Sequence, residues 1–205
     1  MIAIVDYGVG NLFSLKSSLN AIGAEAVVTG EAEVLRRADR ILLPGVGAFG
    51  DAADKLRAAG LDTVVIDEAR RGKPLLGICL GMQLLFEKGF EYGEHAGLGL
   101  IPGQVRPISE TIPASLKIPH IGWNALRFTE NKSPLFRYIK EGECVYFVHS
   151  FHAVNCAESV IATAEYGAEL TAAVQRDNVF GCQFHPEKSG KAGLNILRAF
   201  CSLEL

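Results

Sequence analysis

The stretch Pro74-Leu75-Leu76-Gly77-Ile78-Cys79-Leu80-Gly81-Met82-Gln83 leaves the chain little freedom in how it folds. Its apolar first half reads as a short buried strand, and its second half as the start of a helix. A strand that turns directly into a helix is crowded at the turn. Gly77 and Gly81, two positions either side of Cys79, are the residues that such crowding demands. Gly-x-Cys-x-Gly is the thiol counterpart of the G-x-S-x-G nucleophile elbow. The helix that follows would present free N–H groups and a positive dipole end beside the sulfur. The competing reading is a small apolar core residue, because free cysteine is among the most buried residue types.

The rest of the N-terminal half agrees with a strand–helix alternation. Ile2-Ala3-Ile4-Val5 is an apolar run of the kind found in parallel strands buried on both faces. Asp6 to Gly10 is a turn, and Asn11 is placed to cap a helix with Leu12, Leu15, Leu19 and Ile22 on one face and Gly23 at its end. A strand over Glu25 to Thr29, a short helix over Glu31 to Ala38 and a strand over Arg40 to Leu43 follow. Pro44-Gly45-Val46-Gly47-Ala48-Phe49-Gly50 is a glycine-rich loop before a further helical stretch. The expected fold is α/β: a flavodoxin-like, mostly parallel, doubly wound sheet flanked by helices. In such sheets sites form at the carboxyl ends of the strands, where the loops after the first, third and fourth strands lie.

The C-terminal half is less regular. Glu87 to Gly103 is glycine-rich and reads as loop, and prolines interrupt the chain from there to Phe151. Strands are predicted over Glu143 to His149, Val160 to Ala164, Ala172 to Arg176 and Val179 to Phe184, with a hairpin turn at Asp177-Asn178. These are the extra antiparallel strands of the expected fold. Gly190 to Leu203 closes as a helix with Leu194, Leu197 and Cys201 on one face. No repeat or linker divides the chain, so residues 1–205 are expected to form a single domain.

Composition excludes several function classes. A net charge of −3 supplies no electrostatic case for nucleic acid or an anionic membrane. There is no signal segment and no apolar run long enough to span a bilayer. Five cysteines without regular spacing argue against a disulfide framework and for a reducing, cytoplasmic setting. Gly8-x-Gly10 echoes a dinucleotide fingerprint, but Phe13 stands where its third glycine belongs. His149-x-x-His152 and Cys182-x-x-His185 put their side chains on opposite faces of an extended strand, so no metal site is expected. His95 and His120 are read as loop or surface residues, Cys144, Cys182 and Cys201 as core, and Cys156 as loop.

A cysteine nucleophile needs a base, and the base an orienting group. Phe184-His185-Pro186-Glu187 follows an apolar strand directly, and the two-residue spacing lets Glu187 fold back to the imidazole. A polar turn before the last helix is the alternative. An oxyanion hole would take the N–H of Leu80 and one from the loop Pro44–Gly47, where Val46 lies between two glycines that let its peptide rotate.

These motifs closely resemble the class I (triad) glutamine amidotransferases. The opening Asp6-Tyr7-Gly8-x-Gly10-Asn11, the loop Pro44 to Phe49, Gly122-Trp123-Asn124, Phe147-Val148-His149-Ser150-Phe151 and His185-Pro186-Glu187-Lys188-Ser189 narrow the resemblance. It points to the glutaminase subunits of imidazole glycerol phosphate synthases, from histidine biosynthesis. The resemblance implies Cys79 as nucleophile, His185 as acid and base and Glu187 as its orienter. It implies a glutamine pocket lined by Gln83, with backbone groups near Gly47, Ser150 and Phe151 holding the amino-acid end. It places Asn11, Trp123, Asn124 and Lys188 toward a partner, a cyclase subunit with a (β/α)8 barrel, and implies no cofactor. Phe151 stands where the family often has tyrosine. A glutaminase serving another synthase, for pyridoxal phosphate, anthranilate or purines, and a non-catalytic relative that binds a partner are the alternatives. The intact Cys79, His185 and Glu187 speak against the latter.

Overall fold

A computed structural model of the chain describes residues 1–130 and 132–203. The elements run β1 (Ile2–Val5), α1 (Leu12–Ala21), β2 (Ala26–Thr29), α2 (Ala32–Arg37), β3 (Arg40–Gly45), α3 (Phe49–Ala58), α4 (Leu61–Arg70), β4 (Leu75–Cys79) and α5 (Leu80–Leu84). The second half adds β5 (Phe86–Gly89), β6 (His95–Ala96), β7 (Ile101–Pro107), β8 (His120–Ala125), β9 (Arg127–Phe128) and β10 (Cys144–His149). It ends with β11 (Phe151–Val154), β12 (Val160–Glu165), β13 (Glu169–Arg176), β14 (Val179–Cys182) and α6 (Gly190–Cys201).

The main sheet has the order β2-β1-β3-β4-β14-β13-β12-β9. Its β2-β1-β3-β4-β14 portion is parallel, and β13, β12 and β9 continue it antiparallel. The parallel order is that of a flavodoxin-like doubly wound sheet. β1, β4 and β14 are buried along their whole length because both faces of the sheet are covered there. Leu15 and Leu19 of α1 meet Ile196 and Phe200 of α6 on one side. Leu35, Phe49, Leu56 and Val65 from α2, α3 and α4 fill the other. Asn11 caps α1 as its position predicts, its side chain accepting from the Ser14 N–H. No helix among the described residues is long and apolar enough to cross a membrane.

Several expectations are corrected. Glu87 to Gly103 is not all loop: β6 lies in it, β5 and β7 overlap its two ends, and the three join β11 in a second sheet, ordered β11-β7-β5-β6. Glycines there serve close packing, since a Cβ on Gly89 would meet the Phe49 ring at 2.6 Å and one on Gly97 the Phe86 carbonyl oxygen at 2.0 Å. The helical stretch after Gly50 is two helices, α3 and α4, broken at Gly60, whose φ is +66°. In α6 the buried face is Ala192, Ile196, Leu197 and Phe200, while Leu194 and Cys201 are half-buried. Cys144 is exposed because β10 turns Val145, Phe147 and His149 inward and Cys144 outward. His120 is not a surface residue; it is 1% exposed.

Candidate active site

The elbow is built as its glycines require. Cys79 ends β4 with φ 54° and ψ −113°, a conformation few non-glycine residues adopt, and α5 begins at the next residue. A Cβ on Gly77 would lie 2.6 Å from the Gly81 carbonyl oxygen, and one on Gly81 would lie 1.8 Å from that of Leu43. The turn is therefore pressed against β3. Gly45 pairs with Cys79 in register, so the loop after β3 begins beside the sulfur. The helix after the elbow is short, spanning Leu80–Leu84.

His185 follows β14, the other neighbour of β4, and its backbone N–H donates to the Tyr146 carbonyl. Its ring Nδ1 lies 2.8 Å from Glu187 Oε1, with both side chains almost fully buried. Cys79 and the same ring line one cavity. Burial pushes the imidazolium toward deprotonation, but the Cys79 sulfur and the Glu187 carboxylate outweigh it and raise the ring to about 9. The elbow and the His-x-Glu turn are thus brought together from two adjacent strands.

A cavity of about 370 Å³ opens above Cys79, lined by Val46, Gly47, Leu80, Gln83, Ser150, Phe151, His185 and Lys188 among others. Every residue expected for the oxyanion hole and the glutamine pocket is in this lining. Val46 is 43% exposed, and Gly47 has φ +95°. A small cavity of about 10 Å³ beneath brings Asn11, Pro44, Val46 and Ile78 to His185 and Glu187. Trp123, 55% exposed, stands edge-on to Tyr146 at 5.9 Å, and Lys188 Nζ lies over the same Tyr146 ring, 6.0 Å from its centre. Asn124 is half-buried and bonded to His120 and to the Glu165 carbonyl.

Three residues of the site escape sequence reasoning. Gln183 is fully buried; its Nε2 donates to Cys79 Sγ at 3.7 Å, and its Oε1 accepts from Gln83 Nε2 at 3.0 Å. A glutamine in an otherwise apolar strand run was the available signal. Glu91 lines the cavity and accepts from the Phe49 N–H at 2.7 Å, satisfying the start of α3. Tyr7, buried within the opening motif, donates to the Pro44 carbonyl at 2.8 Å and so pins the end of β3, where the loop carrying Val46 begins; Pro44 and Gly45, expected in that loop, belong to the strand. Among the described residues no group of three or more His, Cys, Asp or Glu is arranged to hold a metal ion.

Residues 3–202 match the family described as Glutamine amidotransferase class-I. The chain belongs to the class-I glutamine amidotransferases. A protein of Wolinella succinogenes named "Imidazole glycerol phosphate synthase subunit HisH" is 49% identical over 205 residues, covering 99% of this chain and all (100%) of the relative. Proteins of the same name from Oceanobacillus iheyensis and Aquifex aeolicus are 46% and 48% identical, over 98% and 96% of this chain and 98% and 94% of theirs. Among solved structures, a glutamine amidotransferase superposes with a TM-score of 0.75 at 21% identity, covering 98% of this chain and 97% of that one. PurLQS from Thermotoga maritima gives 0.75 at 23% identity, over 97% and 96%. At such identities these two structures speak for the fold.

Proposed function

We propose that this chain is the glutaminase subunit of an imidazole glycerol phosphate synthase, with Cys79 as nucleophile, His185 as acid and base and Glu187 as the group that orients it. One observation carries the reading: a strained cysteine at the floor of an open cavity, beside an imidazole whose far nitrogen is fixed 2.8 Å from a buried carboxylate. The near-full-length similarity to proteins named for that synthase subunit supports it.

The chemistry follows from the parts. The Cys79 sulfur attacks the side-chain amide carbon of glutamine, and the N–H groups of Leu80 and Val46 stabilise the oxyanion. His185 gives its proton to the departing nitrogen, which leaves as ammonia. A glutamyl thioester remains; His185 takes a proton from water, and the hydroxide releases glutamate and restores the sulfur. Gln83, and backbone groups of Gly47, Ser150 and Phe151, hold the substrate. No step calls on a cofactor.

Ammonia released into water at neutral pH becomes ammonium, which is no nucleophile, so it must pass directly to an acceptor. The partner is a cyclase subunit with a (β/α)8 barrel, which uses ammonia to convert a phosphoribulosyl-formimino carboxamide ribotide into imidazole glycerol phosphate and a purine intermediate. Asn11, Trp123, Asn124 and Lys188 face it. Trp123, Ile121 and Ile118, each about half exposed at 55%, 57% and 45%, supply the apolar surface such a contact buries. Both subunits work in the cytoplasm as a heterodimer.

The test mixes the chain with a candidate cyclase, glutamine and the ribotide, and measures glutamate and the imidazole product. Cys79→Ala should abolish glutamine use while added ammonium salts still feed the cyclase. Glutamine-dependent turnover that persists in this variant overturns the assignment.

A further inference from the structure

A chain of hydrogen-bonding contacts runs from the half-buried edge of β8 to the wall of the pocket. Asn124 Nδ2 donates to the Glu165 carbonyl at 2.8 Å, which turns Asn124 Oδ1 to His120 Nε2 at 2.7 Å. His120 Nδ1 lies 3.0 Å from His149 Nε2, and His149 Nδ1 lies 2.8 Å from the Phe151 carbonyl oxygen. That same carbonyl accepts from Gln83 Nε2 at 3.2 Å. His120 stacks on Phe147 and Tyr166 at ring distances of 5.2 Å and 4.1 Å, which holds its ring in line.

Counting protons shows that the chain cannot satisfy itself. The Phe151 carbonyl and Asn124 Oδ1 are both acceptors, so each needs an N–H pointed at it, and the contact between the rings needs a third. Two neutral imidazoles carry two N–H groups. A third proton would make one ring an imidazolium, and burial opposes that: both rings are pushed toward the neutral form, His149 down to about 3. One of the three contacts must therefore face lone pair to lone pair. The contact between the rings has no water to relieve it, as His120 and His149 are 1% and 6% exposed. The Phe151 carbonyl keeps the Gln83 donor. With Asn124 anchored on Glu165, the protons settle on His120 Nε2 and His149 Nε2, and His149 lets the Phe151 carbonyl go. With the Asn124 amide turned so that its N–H₂ donates to His120, both ring protons move to Nδ1, and His149 holds the carbonyl.

We propose that His120 and His149 are positioning residues whose shared tautomer is set by the orientation of the Asn124 amide, and that this setting decides whether the Phe151 carbonyl is held by His149 or free to meet the amino-acid end of glutamine. The functional half of this inference rests on the glutaminase reading above. It gives a surface facing the partner a discrete, two-position handle on the pocket, running from Asn124 on that surface through buried His120 to His149 in the cavity wall.

The full chain with ¹⁵N-labelled histidine, studied by long-range ¹H–¹⁵N spectra at neutral pH, reads the tautomer of each ring. The wild type should show His149 protonated on Nε2. Asn124→Leu removes the acceptor at His120 Nε2, and His120→Phe removes the second ring while keeping the stack; in both, His149 should move to the Nδ1–H form. The two variants guard against one failing to fold. An unchanged His149 tautomer in both, or an imidazolium at either ring of the wild type, overturns the inference. In complex with the cyclase, both variants should raise KM for glutamine about fivefold, the worth of roughly one hydrogen bond, and His120→Phe, which lies behind the partner surface, should leave kcat little changed. KM unchanged in both would overturn the link to the pocket. If the wild-type complex releases no glutamate, the glutaminase reading fails, and the spectra still decide the tautomer setting by themselves.

Discussion

Gly81 stands so close to Leu43 that a Cβ on the first would lie 1.8 Å from the carbonyl oxygen of the second. The obstacle is backbone of the adjacent strand β3, which cannot rotate aside as a side chain would. Gly81→Ala must therefore push α5 away from the sheet or break the elbow. The expected cost is about 4 kcal/mol or more, in the range reserved for a broken core contact. Denaturant unfolding measures it. A variant within about 1 kcal/mol of the wild type would mean that the elbow can relax by a route the packing does not suggest.

The pairing of His185 with Glu187 has a pH signature. Burial lowers the ring, but the Cys79 sulfur and, after it, the Glu187 carboxylate raise it to about 9 in the folded chain against an ordinary 6.5, so folding takes up a proton between those values. A raised pKa of this kind contributes stability that is complete below about pH 6.5 and is lost as pH rises through about 9. Glu187→Gln removes the carboxylate and keeps the shape. The wild type should exceed this variant in melting temperature most clearly near pH 6, and the gap should close toward about pH 9.5. A gap that is flat or widens across that range excludes the carboxylate as a support of the charged ring. If the proposed roles hold, the same variant loses glutaminase turnover by about a hundredfold to ten-thousandfold, as orienting carboxylates do elsewhere.

The parts of the site legible in the sequence are those that local spacing defines. Gly77-x-Cys79-x-Gly81 and His185-x-Glu187 each lie within five residues, and each follows an apolar run that marks a strand end. Gln83 and Gln183 are 100 positions apart, and they meet because β14 inserts beside β4. Only the buried polar identity of Gln183 hinted at a role. His120 was unreadable for a similar reason: its burial is made by Phe147 and Tyr166 from two other segments. The strands that overlap Glu87 to Gly103 were hidden by glycines, of which Gly89 and Gly97 fit the backbone against its neighbours. Cys144 was misplaced because both faces of β10 carry apolar residues, so alternation did not show which face was inward.

Tyr7 ties β1 to the loop that carries Val46. Its hydroxyl donates to the Pro44 carbonyl at 2.8 Å in the core, and burial together with the nearby Cys79 sulfur holds it firmly in the protonated form that such donation needs. Tyr7→Phe leaves the ring and the packing but strands a buried carbonyl, which should cost about 1–2 kcal/mol. Because Pro44 leads into Val46, glutamine turnover should fall more than stability does, with KM little affected. Equal glutaminase rates in the two proteins would separate Tyr7 from the oxyanion loop.

Gln183 is the residue whose removal most directly tests how the pocket floor is held. Its Oε1 takes a proton from Gln83, and its Nε2 points at Cys79 Sγ, so one buried amide fixes both the pocket wall and the elbow. Gln183→Leu has similar bulk and lies in a fully buried position, so the packing loss is small. It leaves Gln83 Nε2 with the Phe151 carbonyl as its remaining acceptor, at 3.2 Å. The expected destabilisation is about 1–2 kcal/mol, from the unmet amide proton. Gln183→Glu is the sharper comparison, because it keeps an acceptor for Gln83 and replaces the donor at Cys79 with a carboxylate. A negative charge there would oppose formation of the reactive thiolate, whereas Gln183→Leu only removes the donor, so alkylation of Cys79 by iodoacetamide should slow most in Gln183→Glu and less in Gln183→Leu. Faster alkylation in Gln183→Glu than in the wild type would show that the Gln183 amide does not face the sulfur in solution.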